Sequence, residues 1–132
     1  MFLLDTNALI YLFFEKLAQG KFSNEAITRM LFANKLYVNI CSIWEIAIKI
    51  KIGKLNIKTS MTNLISECHR QNILIYPIEP KYIDKTLELN LYKDHKDPFD
   101  KMIISNAIME NLTLISSDTN IRKYDYGVKI LW

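Results

Sequence analysis

Four acidic residues lie at points where chemistry is expected in an α/β protein. Asp5 interrupts the apolar opening run MFLLDTNALI, and Asp118 follows a later predicted strand, in the stretch LTLISSD. Glu45 lies in the first turn of a helix that is predicted after another strand. Ligands of open parallel sheets bind at the C-terminal ends of the strands, so these three acids are expected at one edge. Asp100 lies in the first turn of a later helix and joins them only if the fold brings it round.

Carboxylates that crowd at one edge of a sheet repel one another, and some are pushed toward protonation. A divalent cation removes this repulsion. Mg²⁺ prefers oxygen ligands and takes one or two carboxylates together with waters. The usual task of such a site is hydrolysis of a phosphate ester, where the metal supplies a hydroxide-like nucleophile and neutralises charge on the phosphate.

Taken singly, each acid also has a structural explanation at a helix terminus or a turn. Ser42 and Glu45 match the capping box S-x-x-E. Asp97 before Pro98 is a predicted N-cap, which leaves Asp100 in a first turn that favours acids. Asp118 suits a turn. The first helix can be capped by any of three neighbours, Asp5, Thr6 and Asn7. The joint placement of the four acids is what favours a metal site.

Strands alternate with helices along the whole chain, which predicts one α/β domain over residues 1–132. The sheet is expected to be mostly parallel and covered on both faces by helices. Strands are predicted at 2–4, 36–40, 73–76, 112–115 and 128–131. Helices are predicted at 8–17, 24–32, 42–53, 60–71, 80–91 and 98–111.

The composition favours a soluble, cytosolic protein with a real core. The chain has 132 residues, of which 50% are apolar and 23% are charged. The longest unbroken apolar stretch, 8–14, is far too short to span a bilayer. Two cysteines, Cys41 and Cys68, are too few for a disulfide framework and are expected to be small buried apolar residues. The net charge of +3 tolerates a nucleic acid partner without demanding one.

Four stretches of the chain resemble the PIN-domain nucleases, and within them the VapC-type toxin ribonucleases of bacterial toxin–antitoxin pairs. They occur in the family's order and cover nearly the whole length: FLLDTNALIYLF, SIWEIAIKIKIGKL, HKDPFDKMIISNAI and LTLISSDTNIRKY. The resemblance implies a three-layer α/β/α sandwich with about five central strands. It implies metal-dependent cleavage of single-stranded or loop RNA by water, typically transfer or ribosomal RNA. It also implies a cognate antitoxin that blocks the site, and a homodimer.

The resemblance also assigns roles to individual residues. Asp5 and Asp100 would be the main ligands of a Mg²⁺ or Mn²⁺ ion, with Asp118 and Glu45 completing the site. The supporting polar residues that match the family pattern are Thr6, Asn7 and Ser116. Among these, the pair after the first acid would orient that acid and the metal's waters.

Two lysines are candidate RNA contacts. Lys101 replaces the arginine of the family's DPFDR, which keeps the charge but loses a bidentate fork for phosphate. Lys49 lies four residues after Glu45, so an ion pair is expected first, with a grip on RNA phosphate as the alternative.

Other departures from the family pattern are expected to be tolerated. Ser105 and Asn106 replace smaller or different residues of the family's IAQA and are expected on the helix face away from the core. Trp44 and Ile48 are expected in the core.

Two rival functions are weaker. A haloacid-dehalogenase-like phosphatase also places an aspartate after its first strand, but it needs a second aspartate two residues later, where this chain has Asn7. A non-catalytic module that binds a protein partner remains the alternative. Its sign would be the loss of an acid, and all four acids are present.

Overall fold

The computed structural model describes residues 1–14, 20–89, 97–122 and 127–132. In these residues five strands form one sheet in the order β3-β2-β1-β4-β5, and every pair is parallel. The strands are β1 (Phe2–Leu4), β2 (Leu36–Asn39), β3 (Ile73–Tyr76), β4 (Thr113–Ile115) and β5 (Ile130–Leu131).

Seven helices are described. They are α1 (Thr6–Phe13), α2 (Asn24–Phe32), α3 (Ile40–Lys51), α4 (Met61–Arg70), α5 (Pro80–Glu88), α6 (Pro98–Met109) and α7 (Thr119–Arg122). The short α7 is absent from the sequence-based prediction. The predicted helix ends at Leu17 and Leu91 lie outside the described residues.

The two faces of the sheet carry separate apolar clusters because side chains alternate along each strand. Leu4 of the central strand β1 packs with residues of α1, α2, α3 and α4 on one face. Its neighbour Leu3 packs with residues of α6 and α7 on the other. The protein is therefore a three-layer α/β/α sandwich around a parallel sheet, and the predicted fold is confirmed.

The predicted start of the third helix is wrong by two residues. Helix α3 begins at Ile40, and its N-cap is Asn39, whose Oδ1 accepts a hydrogen bond from the backbone N–H of Cys41 at 3.0 Å. Asn39 ends β2 and is itself a strong capping residue, so the helix starts directly after the strand. Ser42 is therefore buried inside the helix, and the capping box predicted for Ser42 and Glu45 does not form.

Two predictions about burial are also wrong. Ser105 and Asn106 are fully buried rather than facing away from the core, because α6 packs against the sheet, α3 and α5. Trp44, expected in the core, is 61% exposed.

Both cysteines are buried and free, as predicted. No described helix has the length and apolarity needed to cross a membrane.

Candidate active site

Asp5 lies where β1 ends and α1 begins. Its Oδ1 accepts a hydrogen bond from the backbone N–H of Ala8 at 2.6 Å, so the carboxylate caps α1. The backbone N–H of Asp5 donates to the carbonyl oxygen of Ile115, the last residue of the neighbouring strand β4, at 3.0 Å. The carboxyl group is buried, with 3% of the residue exposed. It thus serves as a cap and also lies at the ligand edge of the sheet.

The environment of Asp5 shows which other groups are close. Burial raises the pKa of this carboxyl group to about 6, against a hydrogen bond from Ser116 and the bond from Ala8, which lower the pKa. The negative charges of Glu45 and Asp118 raise the pKa further. Two of the other predicted acids therefore act on Asp5, and Ser116 is its hydrogen-bond partner.

Glu45 is held by two side chains. The hydroxyl group of Thr6 donates a hydrogen bond to Glu45 Oε2, and Lys49 Nζ lies 3.0 Å from Oε1. The predicted ion pair between residues 45 and 49 is therefore present. The side chain of Glu45 is 13% exposed, so the pair is partly shielded from solvent. Thr6 follows Asp5 directly, and it connects the start of α1 to the acid on α3.

Helix α6 begins with the predicted N-cap. Asp97 Oδ1 accepts hydrogen bonds from the backbone N–H groups of Phe99 at 2.8 Å and of Asp100 at 3.4 Å. Pro98 occupies the first helical position, where its missing N–H costs nothing. This cap fixes the first turn of α6 and with it the position of Asp100.

The fold does bring Asp100 round to the other acids. Burial raises the pKa of its carboxyl group to about 8. The negative charges of the acids around it, which are Asp97, Asp118, Glu45 and Asp5, add to this effect. Because α6 packs against α3, the helix of Glu45, an acid that is remote in sequence becomes a neighbour of the three acids at the sheet edge.

Asp118 lies after β4, between two structural contacts. Its backbone N–H donates to the hydroxyl oxygen of Ser116 at 3.1 Å, and its Oδ1 accepts from the backbone N–H of Asn120 at 2.7 Å. The predicted turn role is therefore present alongside its electrostatic contact with Asp5 and Asp100. Asn7 is half-buried in the first turn of α1, and Lys101 is half-buried directly after Asp100.

The acids suit a hard divalent cation by their chemistry. They offer only oxygen donors, and the negative charges around Asp5 and Asp100 raise the pKa values of these two carboxyl groups, an effect that a cation would relieve. Within the described part of the chain, however, no three Asp, Glu, His or Cys side chains form a cluster with metal-ligand spacing. Oxygens of Asp5 and Glu45 are engaged by protein donors instead. The four carboxyl groups are electrostatic neighbours rather than a closed metal cage.

The sequence-based prediction missed an aromatic pair beside these acids. The rings of Trp44 and Phe99 meet edge to face, with their centroids 5.3 Å apart and an interplanar angle of 79°. Each ring directly precedes an acid in the chain, Glu45 and Asp100 respectively. That adjacency in WE and FD is the sequence signal that could have indicated the pair.

The sandwich with its acids at the carboxyl edge of the strands defines an α/β protein with an acidic strand-end site. The family model described as the PIN domain matches residues 2–126, and the chain belongs to this family. No curated protein matches the chain.

Several solved structures have the same fold. A toxin–antitoxin complex from Klebsiella pneumoniae aligns with a TM-score of 0.60 and 18% identity, over 97% of this chain and 95% of that one. VapBC2 from Rickettsia felis, bound to a DNA fragment from its promoter, aligns with a TM-score of 0.65 and 17% identity, over 99% of this chain and 98% of that one. FitAcB from Neisseria gonorrhoeae aligns with a TM-score of 0.61 and 19% identity, over 100% of this chain and 97% of that one. At these identities the likeness shows the shared fold.

Proposed function

We propose that this protein is a metal-dependent endoribonuclease that cleaves single-stranded or loop RNA. The observation that carries the proposal is the convergence of Asp100 with Asp5, Glu45 and Asp118, which come from four separate places in the chain. PIN domains are in general nucleases, which supports the reaction class.

In this proposal the acids Asp5, Asp100, Glu45 and Asp118 hold a Mg²⁺ or Mn²⁺ ion. A bound ion of this kind supplies a hydroxide-like water and neutralises charge on the attacked phosphate. The protein's own groups prepare the site. Ser116 orients the carboxyl group of Asp5 by its hydrogen bond, and Thr6 orients that of Glu45. Asn7, in the same first turn, is proposed to orient the metal's waters.

Two lysines are proposed to contact the RNA backbone. Lys49 reaches Glu45 and so lies beside the acids. Lys101 follows Asp100 in the first turn of α6. Cations next to an acidic site offset its repulsion of a polyanion and attract phosphate.

We also propose that the protein acts as a toxin in a toxin–antitoxin pair. Two of the similar structures are a toxin–antitoxin complex and VapBC2, which supports a cognate antitoxin as a partner. In the proposal this antitoxin blocks the site. A homodimer in the cytoplasm belongs to the same proposal.

The test is cleavage of total RNA by the purified protein with Mg²⁺, with Mn²⁺ and with EDTA. Asp100→Asn is run beside the unmodified protein, and Asp84→Asn is the matched control because Asp84 is an exposed acid on α5. We expect cleavage that requires metal, is lost in Asp100→Asn and persists in Asp84→Asn.

Two results would contradict the proposal. Cleavage in the presence of EDTA would show that the reaction does not require a metal. A folded protein that neither cuts RNA nor binds Mn²⁺ would favour the alternative, a non-catalytic module that binds a protein partner.

A further inference from the structure

Trp44 is an exposed aromatic residue in a supported position. It is 61% exposed, whereas the neighbouring positions Ile43 and Ile46 of α3 are buried in the core. Its ring rests edge to face on half-buried Phe99. Edge-to-face contacts of this kind hold aromatic rings in defined orientations. Trp44 therefore exposes a large apolar ring to solvent, and the contact with Phe99 fixes the orientation of that ring.

The Trp44–Phe99 pair lies beside the acids. Trp44 belongs to α3 next to Glu45, and Phe99 belongs to α6 next to Asp100. The first turn of α6 is fixed by the Asp97 cap, whose Oδ1 accepts from the backbone N–H of Phe99 itself. The ring that supports Trp44 is thus attached to the same rigid turn as an acid of the candidate site.

We propose that Trp44, supported by Phe99, is a stacking platform for one unpaired base of the RNA next to the cleaved phosphate. This inference rests on the proposed function and adds to it the contact that selects unpaired RNA. An aromatic ring stacks with any base, since every base has a π-face, and only a base outside a duplex is available to it. A base in a paired helix is already stacked on its neighbours and would not reach the ring.

The surroundings of Trp44 favour nucleic acid over an apolar protein partner. Lys51 is exposed seven residues along α3, on the same side of the helix as Trp44. An aromatic ring with cations nearby is the combination found in grooves for single-stranded nucleic acid, where the ring holds a base and the cations hold the backbone.

The first measurement is the fluorescence of Trp44. The chain has two tryptophans, so Trp132→Phe leaves Trp44 as the only one. In a protein that also carries Asp100→Asn, which prevents cleavage, a short single-stranded RNA is titrated in the presence of Mg²⁺. We expect saturable quenching of the tryptophan emission. Inorganic polyphosphate, which has the charge but no bases, is expected to leave the emission unchanged.

The second measurement is cleavage kinetics with Asp100 restored. Trp44→Leu keeps an apolar side chain but has no π-face, and Trp44→Phe keeps a smaller one. We expect Trp44→Leu to raise KM by about 10- to 100-fold with little change in kcat, and Trp44→Phe to recover most of the loss. Ile52→Ala is the matched control, because Ile52 directly follows α3 and is 58% exposed. A merely structural role would lower stability and kcat without this split between the variants.

Three outcomes overturn the inference, and they are separable from failure of the proposed function. If Trp44→Leu cuts RNA with an unchanged KM, Trp44 is not a stacking platform, whereas the proposed nuclease activity stands. A change of Trp44 emission with protein concentration alone assigns this surface to a second copy of the chain. If the unmodified protein neither cuts RNA nor shows quenching, the proposed function fails and the platform fails with it.

Discussion

Asn39 and Asn106 are joined by a hydrogen bond in the interior of the protein. The Nδ2 atom of Asn39 donates to Oδ1 of Asn106 at 3.0 Å, and neither residue is exposed. Asn39 caps α3, the helix of Glu45, and Asn106 lies in α6, the helix of Asp100. This bond fixes the two acid-bearing helices against each other, although their charges repel.

Loss of this bond is expected to destabilise the fold. Asn39→Ser keeps an N-cap oxygen but removes the donor, so Oδ1 of the buried Asn106 amide also loses its partner, as Nδ2 already has none among the described residues. We expect the free energy of unfolding to fall by about 1–3 kcal/mol in urea titrations. The control is Ser105→Ala, because the buried Ser105 hydroxyl has no hydrogen-bond partner among the described residues and its removal should cost little.

A second substitution tests whether the unpaired amide is the cause. Replacing Asn106 by leucine in the Asn39→Ser background removes the polar group that was left unpaired. Part of the lost stability should return. If the single variant Asn39→Ser unfolds at the same urea concentration as the unmodified protein, the bond has no measurable role.

The layered fold and three of the four acid positions follow from local signals in the sequence. Asp5 and Asp118 lie just beyond a strand, and the topology of a parallel sheet places all strand ends at one edge. Glu45 lies in the helix that follows β2, although in its second turn rather than the predicted first turn. Asp100 cannot be placed this way because it lies in the first turn of α6, a helix that leads into strand β4 instead of following the end of a strand. Its position depends on how α6 packs, and that packing is set by contacts between residues far apart in the chain.

The errors in prediction have the same origin. Asn106 is polar and was expected on the outside, but its partner Asn39 is 67 residues away and appears only in the folded protein. Trp44 is apolar and was expected inside, but Phe99 of a different helix supports it at the surface. In both cases the burial of the side chain depends on a neighbour from a distant part of the chain that residue type alone does not reveal.

Asp5→Asn is expected to separate the charge of the first acid from its role in the fold. Asparagine is also a good N-cap, so the bond to the backbone of Ala8 can persist. Burial and neighbouring acids disfavour the charged form of Asp5, so its neutral replacement should be no less stable without metal. We expect normal thermal unfolding and no detectable RNA cleavage. Normal cleavage by folded Asp5→Asn would show that this carboxylate is not required.

The raised pKa of Asp100 predicts how stability depends on pH. The folded protein holds this proton up to about pH 8, whereas the ordinary value for aspartate is 3.8. Between these values the folded state binds more protons than the unfolded chain, so the stability of the metal-free protein should fall as the pH rises. Asp5, with a pKa of about 6, contributes to the lower part of this range.

Urea unfolding in EDTA, at several pH values between about 5 and about 8, measures this dependence. Asp100→Asn should flatten the curve because its side chain has no proton to lose. Added Mg²⁺ should stabilise the protein more at the upper end, where the carboxyl groups are ionised. Stability that rises across this range by the same amount in both proteins would contradict the assignment.

Lys49 is expected to compete with the metal for Glu45. Its Nζ lies 3.0 Å from Glu45 Oε1, and the pair is partly shielded, with 28% and 13% of the two side chains exposed. Lys49→Met removes a cation that would oppose a second cation at the same carboxylate. An ion pair of this kind contributes up to about 1 kcal/mol, which corresponds to an increase of about fivefold in Mn²⁺ affinity.

Lys51→Met is the matched control for this prediction. Lys51 lies on the same helix, is exposed and has no ion pair within the described ranges. Calorimetric titration should therefore give an unchanged Mn²⁺ affinity for Lys51→Met and a higher one for Lys49→Met. If Lys49 also contacts phosphate, its variant should bind single-stranded RNA more weakly in the same experiment series. Equal Mn²⁺ affinities in the two variants would mean that Lys49 does not influence the acids, and its role would then be limited to RNA.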